Sequence, residues 1–240
     1  MLFLFCSIIN FLVTPPKLNI VTFGGTATEN VIVRNINQEK PLRIKAYTGD
    51  WLLNEDGKIY YLEPGRVSFS CSPWITINPR EFTIPPGGNK EVRVTLNVPK
   101  IQGGYWGVVF FEAVPIPSEW TPTIRVSGRI GLTVYVSSGN GIIKNGELTS
   151  LIVTNQEVKV CFKNEGNIWL RPSVKLLIKK DKKEVYKDSI INNVVLPNFE
   201  RIFTFYLKNK LKRGLYTFTT DIDYGGNEIL RGEREVNIEK

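Results

Sequence analysis

Histidine is missing altogether from the 240 residues. A Ser-His-Asp or Cys-His pair of nucleophile and base therefore cannot be assembled, and neither can a histidine-containing zinc site. Cysteine is nearly as scarce, with Cys6, Cys71 and Cys161 its full complement. Cys6 sits in an apolar N-terminal run and the other two fall in different proposed domains, so neither domain can close an internal disulfide. Small buried thiols are the expected state of Cys71 and Cys161. Long apolar runs are also lacking. The longest, residues 1–13 (MLFLFCSIINFLV), falls short of the roughly 20 residues that cross a bilayer as a helix. No transmembrane span is expected. The run has the length of the apolar part of a secretory signal, although no Lys or Arg precedes it and no A-x-A site follows. Export to the periplasm or the exterior is expected from it; a first β-strand is the competing reading. No stretch of useful length shows helical periodicity.

What the chain does contain is short Val/Ile/Phe/Tyr-rich segments separated by clusters of Gly, Pro, Asn and Asp, the pattern of an all-β sandwich or barrel. Apolar residues make up 42% of the chain, enough for packed cores. Strands are predicted at 17–23, 30–35, 42–47, 58–62, 74–77, 90–98, 105–114 and 123–136. A second series follows at 147–153, 158–164, 173–179, 184–188, 201–207, 216–224 and 233–238. Between the two series, residues 137–141 (SSGNG) are small, polar and flexible, as a domain boundary should be. The predicted organisation is an apolar segment over 1–16, one immunoglobulin-like β-sandwich over 17–138 and a second over 139–240. Tyr216, two positions before the core-facing Phe218, has the spacing of a tyrosine corner, which supports that topology.

Residues able to carry chemistry do not converge. Asp221 and Asp223 share a strand face, but two carboxylates fall short of the six to eight oxygens that calcium takes. Nothing sets a glycosidase-like separation between Glu112 and Glu119. The Gly pairs follow no phosphate-loop pattern, and no nucleic-acid motif accompanies the formal charge of +8. The Lys-rich run 179–183 reads as a solvated hairpin tip. No catalytic, cofactor-binding or metal-binding residues are expected, no nucleic acid is expected as a partner, and the chain is not expected to be an enzyme.

Several motifs carry a resemblance. Residues 74–79 (WITINP), 82–87 (FTIPPG) and 91–94 (EVRV) give a strand ending in Pro, a Pro-Gly turn and a Val-Arg strand. Residues 105–117 (YWGVVFFEAVPIP) give an aromatic strand with a Pro-rich end, and 21–25 (VTFGG) with 31–35 (VIVRN) stand upstream. Over about residues 17–136 this resembles the N-terminal domain of PapD-like periplasmic pilus chaperones. The second half, with 158–167 (VKVCFKNEGN), Leu196-Pro197 and 223–226 (DYGG), is similar to adhesion-type immunoglobulin-like modules of bacterial surface proteins. The resemblance implies a partner that is another exported polypeptide. That family anchors the partner's terminal carboxylate with an Arg on its first strand and a Lys on its last. The corresponding positions here hold Asn19 and about Gly131, with Lys17 and Arg129 nearby.

One surface stands out. The strand over 105–114 is apolar on both faces: Trp106, Val108, Phe110 and Val114 on one, Tyr105, Val109, Phe111 and Ala113 on the other. A sandwich strand ordinarily buries one face and wets the other. With Arg43, Lys45 and Tyr47 pointing outward on one neighbouring strand and Arg125 and Arg129 on the other, an apolar stripe rimmed by cations is expected. Whichever face enters the core, a stripe is left outside; Tyr105, Val109 and Phe111 are named with the flanking cations as candidate partner-binding residues. The expected function is a non-catalytic exported protein that holds or escorts another polypeptide through strand or sheet-face contacts. A structural or adhesion protein of the envelope is the alternative.

Overall fold

The computed structural model describes residues 10–114 and 128–239. The chain divides into two compact units, Met1–Trp51 with Tyr61–Asn140, and Leu52–Tyr60 with Gly141–Lys240. Each core-bearing unit is an immunoglobulin-like β-sandwich, and among the described residues the sole helical element is the 3-10 turn Ser72–Trp74.

The first sandwich is built from β1 (Phe11–Thr14), β2 (Lys17–Thr22), β3 (Gly25–Asn35), β4 (Leu42–Leu53), β5 (Ile59–Leu62), β6 (Ile75–Asn78), β7 (Glu81–Ile84), β8 (Asn89–Val98), β9 (Gly103–Val114) and β10 (Arg129–Ser138). One sheet runs β1-β3-β8-β6 and the other β2-β10-β9-β4-β5, with β7 also on β4. Burial follows the period of two that pleating imposes. Val31 and Val33 of β3, Val92, Val94 and Leu96 of β8, and Leu132, Val134 and Val136 of β10 all point into one core. Two segments differ from the sequence reading. Residues 11–14, grouped there with the apolar leader, form β1: Phe11 is buried in the core and pairs with Asn35. Residues 81–84, left unassigned, form β7 because the chain changes sheets between β6 and β7. Two of the changes of sheet, β1 to β2 and β6 to β7, occur at a cis proline, Pro15 and Pro79.

The second sandwich comprises β11 (Gly146–Val153), β12 (Glu157–Asn164), β13 (Ser173–Lys180), β14 (Lys183–Ile190), β15 (Glu200–Tyr206), β16 (Gly214–Asp223) and β17 (Leu230–Ile238). Three strands, β11-β12-β15, face four, β14-β13-β16-β17. Val158, Val160 and Phe162 meet Leu176, Ile178 and Phe218 in the core. The tyrosine corner is made: Tyr216 Oη donates to the Lys212 carbonyl at 2.9 Å.

The same device closes one end of both sandwiches. Asn35 ends β3 fully buried; its amide donates to the carbonyls of Lys40 (2.9 Å) and Pro85 (3.1 Å), and its Oδ1 accepts from Asn37 N. Asn164 ends β12 fully buried; its amide donates to the carbonyls of Ile168 (2.8 Å) and Val195 (2.9 Å), and its Oδ1 accepts from Gly166 N. The bonds of Asn164 are buried and those of Asn35 to Lys40, Pro85 and Asn37 part-buried; an unmet hydrogen bond away from water is costly. Asn164→Ala, which removes three buried hydrogen bonds and takes from the Ile168 carbonyl its side-chain donor, is expected to lower unfolding free energy by about 2–3 kcal/mol in urea titration, against under about 1 kcal/mol for the exposed Asn209→Ala.

Candidate functional site

Strand β9 is buried on both sides, and the structure shows how. Val109 and Phe111 have no exposed surface and lie in the sandwich core, with Tyr105 and Ala113 packed against it. Trp106, Val108 and Phe110 take the outer face and are buried there too. This decides the face that the sequence left open and corrects three of the candidate partner-binding residues: Tyr105, Val109 and Phe111 belong to the core side and cannot form an outer stripe. The alternation of β9 alone did not decide between its faces. The register does, since Ala46 of β4 pairs with Phe111, and Leu132 of β10 pairs with Val109, all four in the core.

The outer stripe is covered from within the same unit. Pairing of β4 with β9 ends at Gly49 and Val108. Beyond that point residues 69–71 take up the edge of β9: Trp106 N donates to Phe69 O at 2.9 Å, and Cys71 N to Trp106 O at 3.0 Å. Phe69 stacks on Trp106 with ring centroids 5.4 Å apart, and Trp51 packs between Trp106 and Tyr135. The indoles are held by backbone: Trp51 Nε1 donates to Gly107 O and Trp106 Nε1 to Trp51 O. Gly107 has to be glycine, because a Cβ there would stand 2.5 Å from Ser72 Oγ.

Asp50 fixes this cover. Its carboxylate is fully buried and accepts from Arg66 N (2.8 Å), Val67 N (3.1 Å) and Ser70 Oγ (2.5 Å). Three donors on one buried anion offset the loss of hydration, which would otherwise be prohibitive. Cys71 lies against this network as a free, buried thiol; burial first, and then the Asp50 charge, push its pKa up, so it is not a nucleophile. Cys161, in the other sandwich, is likewise buried and free.

The remaining predicted residues do gather on the outer face of this sheet. Across β7, β4, β9 and β10 the register aligns Glu81, Lys45, Glu112 and Arg129, so charges alternate along one row. Arg43 bridges to Glu81 at 3.0 Å. In the next row Tyr47 sits opposite Phe110, with centroids 5.3 Å apart. Arg129 lies over the Phe110 ring at 4.5 Å and over Tyr61 at 5.3 Å, and donates to Tyr47 Oη at 3.4 Å; Tyr47 Oη in turn donates to Glu112 Oε2 at 2.9 Å. Partial burial raises the Tyr47 pKa above its ordinary value. The Arg129 contact opposes this, and Glu112 adds to it. Arg129 is raised as well, chiefly by its hydrogen bond to Tyr47. Beside this row lies a groove of about 530 Å³ lined by Lys45, Tyr47, Glu63, Arg80, Glu81 and Glu112. The expected rim of cations is thus a grid already balanced by Glu81 and Glu112. Arg125, like Glu119, lies outside the described residues.

Sequence reading missed a different feature, the edge of β10. Strand β10 pairs with β9 along its whole length, Arg129 through Ser138. On its other side β2 pairs, in parallel, from Thr133 through Ser138. Among the described residues, Arg129–Leu132 therefore have a ladder partner on one side. The strand that would fill the gap, β1, has crossed to the opposite sheet. The register also sets Asn19 opposite Tyr135 and Lys17 opposite Thr133, so neither residue faces Gly131 across the ladder. In the second unit, Asp221 is held by Arg231 (2.7 and 2.9 Å) and Asp223 Oδ1 accepts from Gly225 N. No group of three or more His, Cys, Asp or Glu able to hold a metal ion occurs among the described residues.

Comparison of shape defines the fold as that of the two-domain, PapD-like fimbrial chaperones. In particular, the chain is similar to the class 5 fimbriae chaperone CfaA (TM-score 0.52, 17% identity, covering 94% of this chain and 99% of that one). It is also similar to a chain of the chaperone–tip adhesin complex of CFA/I fimbriae (0.54, 17%, 94% and 98%) and to the YadV chaperone (0.50, 10%, 95% and 100%). No protein-family model and no curated protein matches the chain.

The two faces of β9 give a paired test. Phe111→Asp buries a charge in the core and is expected to unfold the first sandwich. Arg129→Ala removes exposed cation–aromatic contacts worth about 0.5–1 kcal/mol each and is expected to leave it folded. Thermal melts followed by circular dichroism distinguish the two outcomes. Asp50→Ala, which strands three donors under the 63–72 cover, is expected to cost about 3 kcal/mol and to expose Trp51 and Trp106 to iodide quenching.

Proposed function

We propose that the protein is a non-catalytic holding protein, exported to the periplasm, that binds another exported polypeptide as an added strand along the open side of Arg129–Leu132. The observation that carries the proposal is that β10 is half-paired among the described residues: its ladder groups are set out in register on the sheet, and an extended segment can take them up by β-augmentation. Ile130, half buried at the margin of the core, supplies an apolar contact beside that edge. Likeness in shape to chaperones of fimbriae, one of them in complex with a tip adhesin, supports a partner that is a subunit of an envelope appendage. The charge-balanced outer face of the sheet offers less, because Lys45, Arg43 and Arg129 already face carboxylates of the same sheet.

The test places a photocrosslinking side chain at position 130 or, separately, at position 45, in cells that export the protein. Crosslinks to another exported polypeptide are expected at 130 and not at 45, and Ile130→Ser is expected to cut recovery of the same complex at least about tenfold without changing the melt. Crosslinking at 45 alone would transfer the function to the sheet face. A partner that stays bound in the envelope fraction, rather than being released, would make the protein a structural component.

A further inference from the structure

The net charge of the chain is concentrated at one end of the second sandwich. Residues 179–184 and 208–213 hold seven lysines and Arg213 against two carboxylates, Asp181 and Glu184, a net +6 out of +8 for the whole chain. The sequence reading treated 179–183 as an isolated solvated tip; folding sets a second basic run beside it. The first run is the β13–β14 turn and the second the β15–β16 loop, and they touch. Lys180 Nζ donates to Arg213 O at 2.9 Å and stands 5.0 Å from the centre of the Tyr216 ring. The loop is tied down by Leu207 N to Gln156 O (2.9 Å), Leu211 N to Asn155 O (2.8 Å) and the Tyr216 corner. Of the other carboxylates near this end, Glu157 is paired with Lys159 at 3.3 Å, and Glu239 lies just beyond the end of β17. The chain enters the sandwich at its other end, where residues 143–145 pair with the turn after β12.

Apolar side chains interrupt the charge. Val185, Tyr206 and Leu215 each stand two residues from a basic run, yet 49%, 73% and 55% of their surfaces are exposed. A cleft of about 290 Å³ opens between Val185 and Tyr186 on one side and Lys208, Lys210 and Lys212 on the other. We propose that this end docks on an anionic phospholipid surface, with lysine ammonium groups in the headgroup layer and Val185, Tyr206 and Leu215 reaching the top of the acyl region. Lysine, a mobile point charge, suits the diffuse negative field of a lipid surface. A discrete acidic peptide is better matched by the arginine fork, and Arg213 is the one arginine here. Cations with a few exposed apolar groups among them are what shallow interfacial binding requires. Asp181 and Lys182, at positive φ, turn the hairpin tip tightly outward.

The experiment is flotation of the full chain with vesicles of phosphatidylcholine, with or without phosphatidylglycerol. Binding is expected to need phosphatidylglycerol and to fall away by about 0.5 M salt. Reversal of four exposed lysines, K182E/K183E/K208E/K210E, is expected to weaken partitioning at least about 100-fold. The milder set with Gln in place of Glu keeps the test intact should the reversed protein fail to fold. Y206S/L215S is expected to weaken vesicle binding several-fold while leaving retention on heparin unchanged, which a purely electrostatic polyanion site would not do. Equal flotation with neutral vesicles, undiminished flotation of the lysine variants, or retention on polyglutamate or DNA without vesicle binding would each overturn the proposal.

Discussion

Strand β9 has no wet side, and the architecture of the first sandwich follows from that. An ordinary strand in a two-layer fold presents its outer face to solvent, where polar groups suffice. Trp106, Val108 and Phe110 make that arrangement untenable, so the unit supplies a second, smaller apolar layer outside the sheet. The layer is held by polar means. A buried carboxylate, Asp50, grips the backbone of residues 66 and 67 and the hydroxyl of Ser70, and thereby presses Phe69 onto Trp106. The strand held in this way, β9, is the one that pairs with β10 from Arg129 to Ser138.

The two sandwiches solve their loop problems alike although their sequences differ. Asn35 and Asn164 occupy the same place at the end of a core strand, donate to three and two carbonyls respectively and accept from the amide two residues on. A short amide side chain is well suited to this because it offers donors and an acceptor from one buried atom group without net charge. The paired motifs VRNIN and FKNEGN carry the device in plain view.

Much of the fold was legible because alternation at a period of two is a local property. Leu132, Val134 and Val136 can be assigned to one face by counting. Strand β7 was not legible, since four residues between two prolines look like a turn until β4 is there to pair with them. The outer layer was hidden for a related reason: residues 63–72 are rich in Gly, Pro and Ser and read as loop, and nothing local reveals that Phe69 has a tryptophan to stack on. The cations Arg43, Lys45 and Arg129 were placed on the correct face, but their partners Glu81 and Glu112 come from other strands, so the face looked more basic than it is. The open edge of β10 depends on where β1 goes, a matter of sheet membership that no window of sequence contains.

The parallel pairing of β2 with β10 joins Lys17 to Thr133 and Thr22 to Ser138, the beginning of the sandwich to its end. A chain threaded through a membrane with its N-terminus leading would deliver Lys17 long before Ser138 emerges. Until then β2 has no ladder to join, and Leu18 and Ile20 have no completed interior to enter. Contacts of such long sequence separation form late because loop closure precedes any return. Closure of this unit therefore waits on its last strand, and a chain interrupted anywhere short of residue 138 would be left as a sticky, unclosed half-sandwich.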